Sequence, residues 1–301
     1  MIKRWFSHPL EYLLTITLVR CFQLLPRDTA LHFGDLLGRF TFRFLRFRRE
    51  VVLENLRVTF PEKSESERLV IAANTYRNLA MSLVEYARLP VTSMEEMTET
   101  IEIEGREVLD RALAGAKGAV LVTGHFGSWE LMGAYLTGLG YPVSFLVGEQ
   151  KNKAVDDLMN QLRRTKGIGI IKMGATLRRV IEALKKNQFV AMLSDQDAGS
   201  HGVFVDFLAR RASTPFGPAS FALRTGAALV TGFILRQDLS QHRVILEEVI
   251  VPSPSGDRNR DLTSLTQAYT GVLEKYVRER PDHWLWLHRR WKTRPPLQSS
   301  Y

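Results

Sequence analysis

From residue 101 to residue 251 the chain alternates short apolar runs with amphipathic stretches, and that rhythm leaves few folds open to it. The runs at 101–103, 118–123, 143–147, 168–171, 189–193, 229–235 and 244–251 have strand length and strand composition. The run at 118–123 is apolar without interruption, as in a strand buried on both faces. Between them, 105–114, 129–139, 154–164, 176–186 and 218–225 read as helices, and 262–280 as a long final one. Such alternation predicts an α/β domain, with a largely parallel or mixed sheet flanked by helices. Residues 252–257 read as a loop, and 64–89 as an amphipathic helix or pair of helices closed off from what precedes by Pro61. We therefore divide the chain into an N-terminal helical segment, 1–60, and an α/β domain, 61–301.

The first segment has a different character. Lys3 and Arg4 precede an apolar stretch, 9–25, that Glu11 and Arg20 interrupt. It is short for a membrane span and no small-residue cleavage site follows, so it reads as a retained helix that dips into or marginally crosses a bilayer. The alternative is a buried core helix. Across 29–49 a helical wheel gathers Phe33, Leu37, Phe40, Phe44 and Phe47 in one stripe, with Arg39, Arg43 and Arg46 about 120° around it. A helix of this kind can bury its aromatics at an interface while its guanidinium groups reach phosphates. Packing of the Phe stripe on the domain, with a merely solvated Arg face, is the other reading. Charge bears on this choice: 41 Lys+Arg against 32 Asp+Glu gives +9, and residues 1–60 alone carry ten basic against five acidic side chains. The excess favours an acidic partner, whether nucleic acid, an anionic membrane surface or an acidic carrier protein. The single cysteine, Cys21, excludes an intramolecular disulfide framework and suits a reducing compartment.

The chemistry concentrates in Thr123-Gly-His-Phe-Gly-Ser-Trp-Glu130, where a buried strand ends and a helix begins. Ligand sites of open α/β sheets lie at the carboxyl ends of strands. His125 and Glu130, five apart, would be separated by about 140° in a continuous helix. Gly124 and Gly127 instead place His125 in a turn, so that the two side chains can meet. A carboxylate on one imidazole nitrogen fixes the tautomer and raises basicity at the other, as general-base work on a hydroxyl requires. Backbone N–H groups at the helix start can face a developing oxyanion. A capped helix start is the plainer reading of the pair. Neither a Gly-x-Ser-x-Gly nucleophile, metal-ligand spacing nor a glycine-rich nucleotide loop competes.

This segment resembles the His-x4-acid motif of glycerolipid-type acyltransferases. With Glu as the acid and Gly-His-Phe-Gly-x-Trp-Glu around it, it resembles the late acyltransferases of lipid A biosynthesis, the lauroyl/myristoyl type. Four further segments match in order: Asn55-Leu56 with Phe60-Pro61, Leu162-Arg163, Ser194-Asp-Gln-Asp197, and Trp286-Leu-His-Arg-Arg-Trp-Lys-Thr-Arg-Pro295. Ser128 departs from the pattern, which has Asn there; either residue caps a helix. The resemblance implies a glycerolipid-acyltransferase-like fold with N-terminal membrane-associated helices, on the cytoplasmic face of the inner membrane. It implies acyl carrier protein as donor, a hydroxyl of a lipid A precursor as acceptor, and no metal or other cofactor. An anionic membrane surface would be a partner and nucleic acid would not. Arg163 matches an arginine near the catalytic pair, expected to bind acceptor phosphate or steady the oxyanion, with Arg164 the competing neighbour.

Asp195 and Asp197 follow a strand beside the site and stand with Arg163 and Arg164 as candidate substrate-binding residues; a metal or acid/base pair is conceivable there, but a turn cap or a pairing with Arg is the commoner role. Thr214-Pro-Phe-Gly-Pro218 reads equally as a phosphate site or a helix start. Trp284, Trp286 and Trp291 are expected to pack, and Arg289, Arg290, Lys292 and Arg294 to form a carrier or headgroup patch or a solvated tail. The expected activity is acyl transfer with His125 as base assisted by Glu130. Its rivals are the same chemistry on a lysophospholipid, aminolipid or other glycolipid, a thioester or lipid hydrolase, and a non-catalytic membrane-binding protein.

Overall fold

The computed structural model describes residues 2–251 and 255–295. Part of the expected loop at 252–257, namely 252–254, lies outside the described residues.

Seven strands form one mixed sheet. In chain order they are β1 (Ile101–Glu104), β2 (Ala119–Thr123), β3 (Val143–Val147), β4 (Gly169–Lys172), β5 (Phe189–Leu193), β8 (Ala228–Arg236) and β9 (His242–Val249), and their spatial order is β1-β9-β8-β2-β5-β3-β4. The β8–β9 pair is antiparallel and every other neighbour pair is parallel. β2 lies at the centre of the sheet, which explains its unbroken apolar run: Ala119 and Leu121 enter the core on one face, Val120 and Val122 that on the other. Against the first face pack α5 (Met94–Thr100), α6 (Arg106–Ala114), α7 (Trp129–Gly138) and α8 (Lys153–Arg164); against the second, α9 (Thr176–Lys185), α10 (Gly217–Thr225) and α11 (Arg258–Glu279). The elements expected from periodicity are present, shifted by a few residues at their ends.

Residues 203–214 had no assignment from sequence. They form a hairpin, β6 (Val203–Phe207) with β7 (Arg210–Thr214). Its two turn residues, Leu208 and Ala209, are both left-handed (φ 53° and 60°). Such turns normally announce themselves as Asn-Gly or Asp-Gly, so this one carries no sequence signal.

The N-terminal helices depart from expectation in two ways. First, no helix among the described residues, α1 (Ile2–Leu24) included, is long and apolar enough to cross a membrane. Second, 29–49 is not one helix. It comprises α2 (Arg27–Phe40), a π-turn at Thr41–Leu45 and two left-handed residues, Arg46 and Arg48, before α3 (Arg49–Thr59). The wider π-turn spoils the projected alignment of Arg39 with Arg43 and Arg46. The face of α2 that packs inward is not the aromatic one. Ala30, Leu31, Gly34 and Gly38 are buried against α4 (Glu65–Arg88), and a Cβ on Gly38 would lie 2.6 Å from the Arg77 Cα. Phe33, Leu37, Phe40, Phe44 and Phe47 remain outside, between 45% and 66% exposed, so the stripe does not pack on the domain. α4 starts at a capping box in which Ser64 accepts from the Glu67 backbone and Glu67 reaches back to Ser64.

Candidate active site

The pairing of β2 with β5 builds the site. Thr123 is opposite Leu193, so both strands end at the same level and the Ser194 N–H donates to the Thr123 carbonyl at 3.0 Å. Two residues beyond each strand end stand His125 and Asp195. His125 Nδ1 is 2.8 Å from Asp195 Oδ1, while Asp195 Oδ2 accepts from the His125 backbone N–H at 2.9 Å and from the Trp284 indole N–H at 2.8 Å. An ionised carboxylate only accepts, so Nδ1 carries the proton and Nε2 keeps its lone pair. Asp195 is 2% exposed and the His125 side chain 21%: the orienting group is sealed and the base can be reached.

The local backbone permits this geometry because of two glycines. A Cβ on Gly124 would press on Asp195 and Leu273. Gly127 is left-handed (φ 58°), and a Cβ there would sit 1.9 Å from the Ile234 carbonyl oxygen. The far side of the turn is held by the C-terminal strap: Gly127 N–H donates to the His283 carbonyl, Leu285 N–H to that of His125, and Phe126 bridges to Trp284.

Burial works against a charged imidazole, but the Asp195 charge and hydrogen bond outweigh it, with the Glu130 charge adding, so the His125 pKa lies above its ordinary 6.5. Burial equally opposes the Asp195 charge, yet His125 and the N–H donors around it bring its pKa down to about 2.

Glu130 is not the hydrogen-bond partner expected for His125. Both its oxygens are taken by Arg163, Nε at 2.9 Å and Nη2 at 2.6 Å, in a bidentate pair whose side chains are 7% and 11% exposed. Arg163 is fixed in turn by Asn160 Oδ1 at 2.8 Å and by the Tyr86 ring, 5.3 Å away. Glu130 therefore acts on His125 through its charge, while Asp195, expected to be structural, holds the ring. Arg163 joins the site and Arg164 faces solvent. Asp197 does take the structural role: it accepts from the Thr293 backbone at 3.2 Å, from its hydroxyl at 2.8 Å and from Gly199 N–H at 3.3 Å. Ser128 occupies the helix N-cap position without a side-chain capping bond. Arg290 is no surface residue: it is 1% exposed and donates to the Ser213 carbonyl and to Thr214 Oγ1.

The separate sequence motifs thus converge. Asn55 donates to the Trp286 and His288 carbonyls at 2.9 and 3.0 Å, pinning the strap that carries Trp284. Trp284, read from sequence only as packing, is the residue that sequence reasoning missed; its role depends on a contact 89 positions away.

His125, Trp129 and Glu130 border a cavity of about 840 Å³. Leu121, Met132, Gly133, Leu136, Val143 and Phe145 continue it beneath α7 along the sheet. Val143 is level with Phe189, four residues back from Leu193, so the apolar arm runs roughly 13 Å below the edge that carries His125 at about 3.3 Å per residue. An apolar arm of this depth with a base at its mouth suits a long hydrocarbon chain whose reactive end stays at His125 Nε2. Gln196 Nε2 is 3.5 Å from that nitrogen.

Known proteins place these features in context. A family model described as bacterial lipid A biosynthesis acyltransferase matches residues 2–293. The lipid A biosynthesis palmitoleoyltransferase of Escherichia coli (strain K12) is 29% identical over 99% of this chain and 97% of that protein. The lipid A biosynthesis lauroyltransferase of the same organism is 30% identical over 90% of this chain and 88% of that one. A phosphatidylinositol mannoside acyltransferase of Mycobacterium tuberculosis is 25% identical over 69% of this chain and 66% of its own length.

Proposed function

Because the chain belongs to the bacterial lipid A biosynthesis acyltransferase family, we propose that it moves a fatty acyl group from acyl carrier protein to a hydroxyl of a lipid A precursor. The observation that carries this reading is an imidazole whose unprotonated Nε2 stands at the mouth of a deep apolar cavity. The acyl chain occupies the cavity and presents its thioester carbonyl at His125. Nε2 takes the proton of the acceptor hydroxyl as its oxygen attacks that carbonyl, Asp195 keeps the resulting imidazolium in place, and the thiolate of the carrier leaves with the proton. Glu130, locked by Arg163, adds negative charge beside the imidazolium. With Glu130 occupying its fork, Arg163 positions that carboxylate rather than holding an acceptor phosphate.

The setting of the reaction belongs to the same proposal. The exposed apolar row on α1, α2 and the π-turn after it, including Leu10, Leu13, Phe33, Phe40 and Phe44, seats the protein on a membrane without crossing it, and Arg43 and Arg46 meet anionic headgroups. A lipid acceptor and a cytoplasmic carrier, both part of this proposal, support a position at the cytoplasmic face of the inner membrane. Release of the carrier thiol, followed with and without lipid A precursor, tests the function. Acceptor-dependent release supports transfer, and equal release without acceptor would make the protein a thioester hydrolase.

A further inference from the structure

Five basic side chains, Lys151, Lys153, Lys172, Arg178 and Arg179, stand at the strand end, loops and first helical turns where the cavity opens, and Arg164, Lys166, Lys185 and Lys186 follow at the far ends of the same two helices. Residues 151–186 hold ten Lys+Arg and three Asp+Glu, a net of +7, while everything outside them and the first 60 residues is net acidic. Of the ten, Arg163 alone is buried. The cavity reaches solvent at Gly148, Gln150, Met173 and His201, in loops that follow β3, β4 and β5 at the sheet edge carrying His125. Lys151 and Lys153 follow Gln150 directly, Lys172 precedes Met173, and Arg178 and Arg179 lie in the first turn of α9 beside it. Lys172 is engaged by Glu149 at 3.2 Å and Arg178 by Glu182 at 2.7 Å. Lys151, Lys153 and Arg179 are exposed and form no ion pair among the described residues.

We propose that this basic rim, centred on Lys151, Lys153 and Arg179, is the docking surface for an acidic protein that delivers the acyl chain; the inference rests on the carrier-borne donor proposed above. A chain that enters the cavity leaves whatever carries its thioester outside, against this rim. The layout fits a protein surface better than a headgroup. α9 alone spreads Arg178, Arg179 and Lys185 along about 10 Å, and they point outward, whereas a phosphate site needs donors that converge on one oxygen cluster. A membrane fits less well too: the exposed apolar row is on α1, α2 and the π-turn, and among the described side chains the rim offers Met173 and Leu177. Complementary charge at such a rim acts on encounter and positioning and leaves the chemical step alone.

The test compares wild type with the triple variant K151E/K153E/R179E on two donors bearing the same acyl chain, one on acyl carrier protein and one on pantetheine. The variant should raise KM for the protein donor about tenfold or more, with kcat and all pantetheine parameters unchanged, and should lose the salt sensitivity of wild type. Equal effects on both donors would overturn the proposal, as would a rise in acceptor KM alone (a headgroup site) or a loss of vesicle binding alone (a membrane face). Fluorescence anisotropy with labelled carrier protein separates this inference from the functional reading. Carrier binding by wild type that the variant loses upholds the docking surface even if lipid A precursor is not acylated. Wild type that uses acyl-pantetheine but does not bind the carrier refutes it.

Discussion

Asp195→Asn probes the site most sharply, because the structure determines which way the amide must turn. Three N–H groups face this carboxylate: His125 Nδ1 at Oδ1, and the His125 backbone and Trp284 indole at Oδ2. An asparagine has one accepting oxygen. With its NH2 at the Oδ2 position, two buried donors would lose their acceptor, at about 1–3 kcal/mol each. With its oxygen there instead, both stay satisfied and the NH2 faces Nδ1, which must then accept. The proton moves to Nε2 and the base is lost. We expect this second arrangement, with stability changed by no more than about 1 kcal/mol and turnover reduced roughly 10³–10⁴-fold, as for an orienting aspartate in a catalytic triad. Removing the Asp195 charge takes away the main influence that raises the His125 pKa against burial, so that pKa falls from its wild-type position and the acid limb of the residual activity moves to lower pH. In wild type the raised pKa places that limb above 6.5, activity falling as the pH drops through it. Steady-state kinetics over pH, with urea unfolding of both proteins, measures all of this. Turnover within a few-fold of wild type and an unmoved acid limb would refute the assignment of Asp195.

Three further outcomes follow from the same contacts. Arg163→Lys keeps the charge at Glu130 but loses one arm of the fork, so activity should fall about tenfold, a hydrogen bond to a charged group contributing about 1.5–3 kcal/mol; a fully active Lys variant would mean that charge alone suffices. Glu85 and Arg236 form a bidentate pair, both 5% exposed, and Glu85→Ala should cost about 3–5 kcal/mol in denaturant unfolding by stranding the guanidinium, whereas a loss near zero would show the site to be open to water. Gly127→Ala meets both a left-handed backbone and the Ile234 carbonyl, so unfolding should show a loss above about 1 kcal/mol together with lower activity, and an unperturbed variant would contradict the turn geometry.

Sequence reading went furthest where one local pattern decides the structure. The strand-and-helix rhythm, the Gly-His-Phe-Gly turn and the start of α4 at Ser64 are all of this kind. The β6–β7 hairpin escaped because Leu208 and Ala209 are not residues that ordinarily mark a left-handed turn. The break in α2 escaped because residues 41–48 keep a helical pattern of aromatics while the backbone widens and then reverses. At the site, the five-residue spacing of His125 and Glu130 suggested a direct contact that Arg163 pre-empts. The contact that matters instead, His125 with Asp195, is set by strand register, which no single stretch of sequence contains. Ser194-Asp-Gln-Asp197 at a strand end was visible as a motif, but only the fold distinguishes the aspartate that orients His125 from the one that binds Thr293.

The central claim is that His125 is the base that activates the acceptor hydroxyl. The most direct test follows a labelled acyl chain from acyl carrier protein to lipid A precursor, with wild type and His125→Ala side by side and folding checked by circular dichroism. Loss of the proton-transfer contribution predicts a rate lower by roughly 10²–10⁴-fold in a protein that still folds. A folded His125→Ala protein that transfers the chain at the wild-type rate would contradict it.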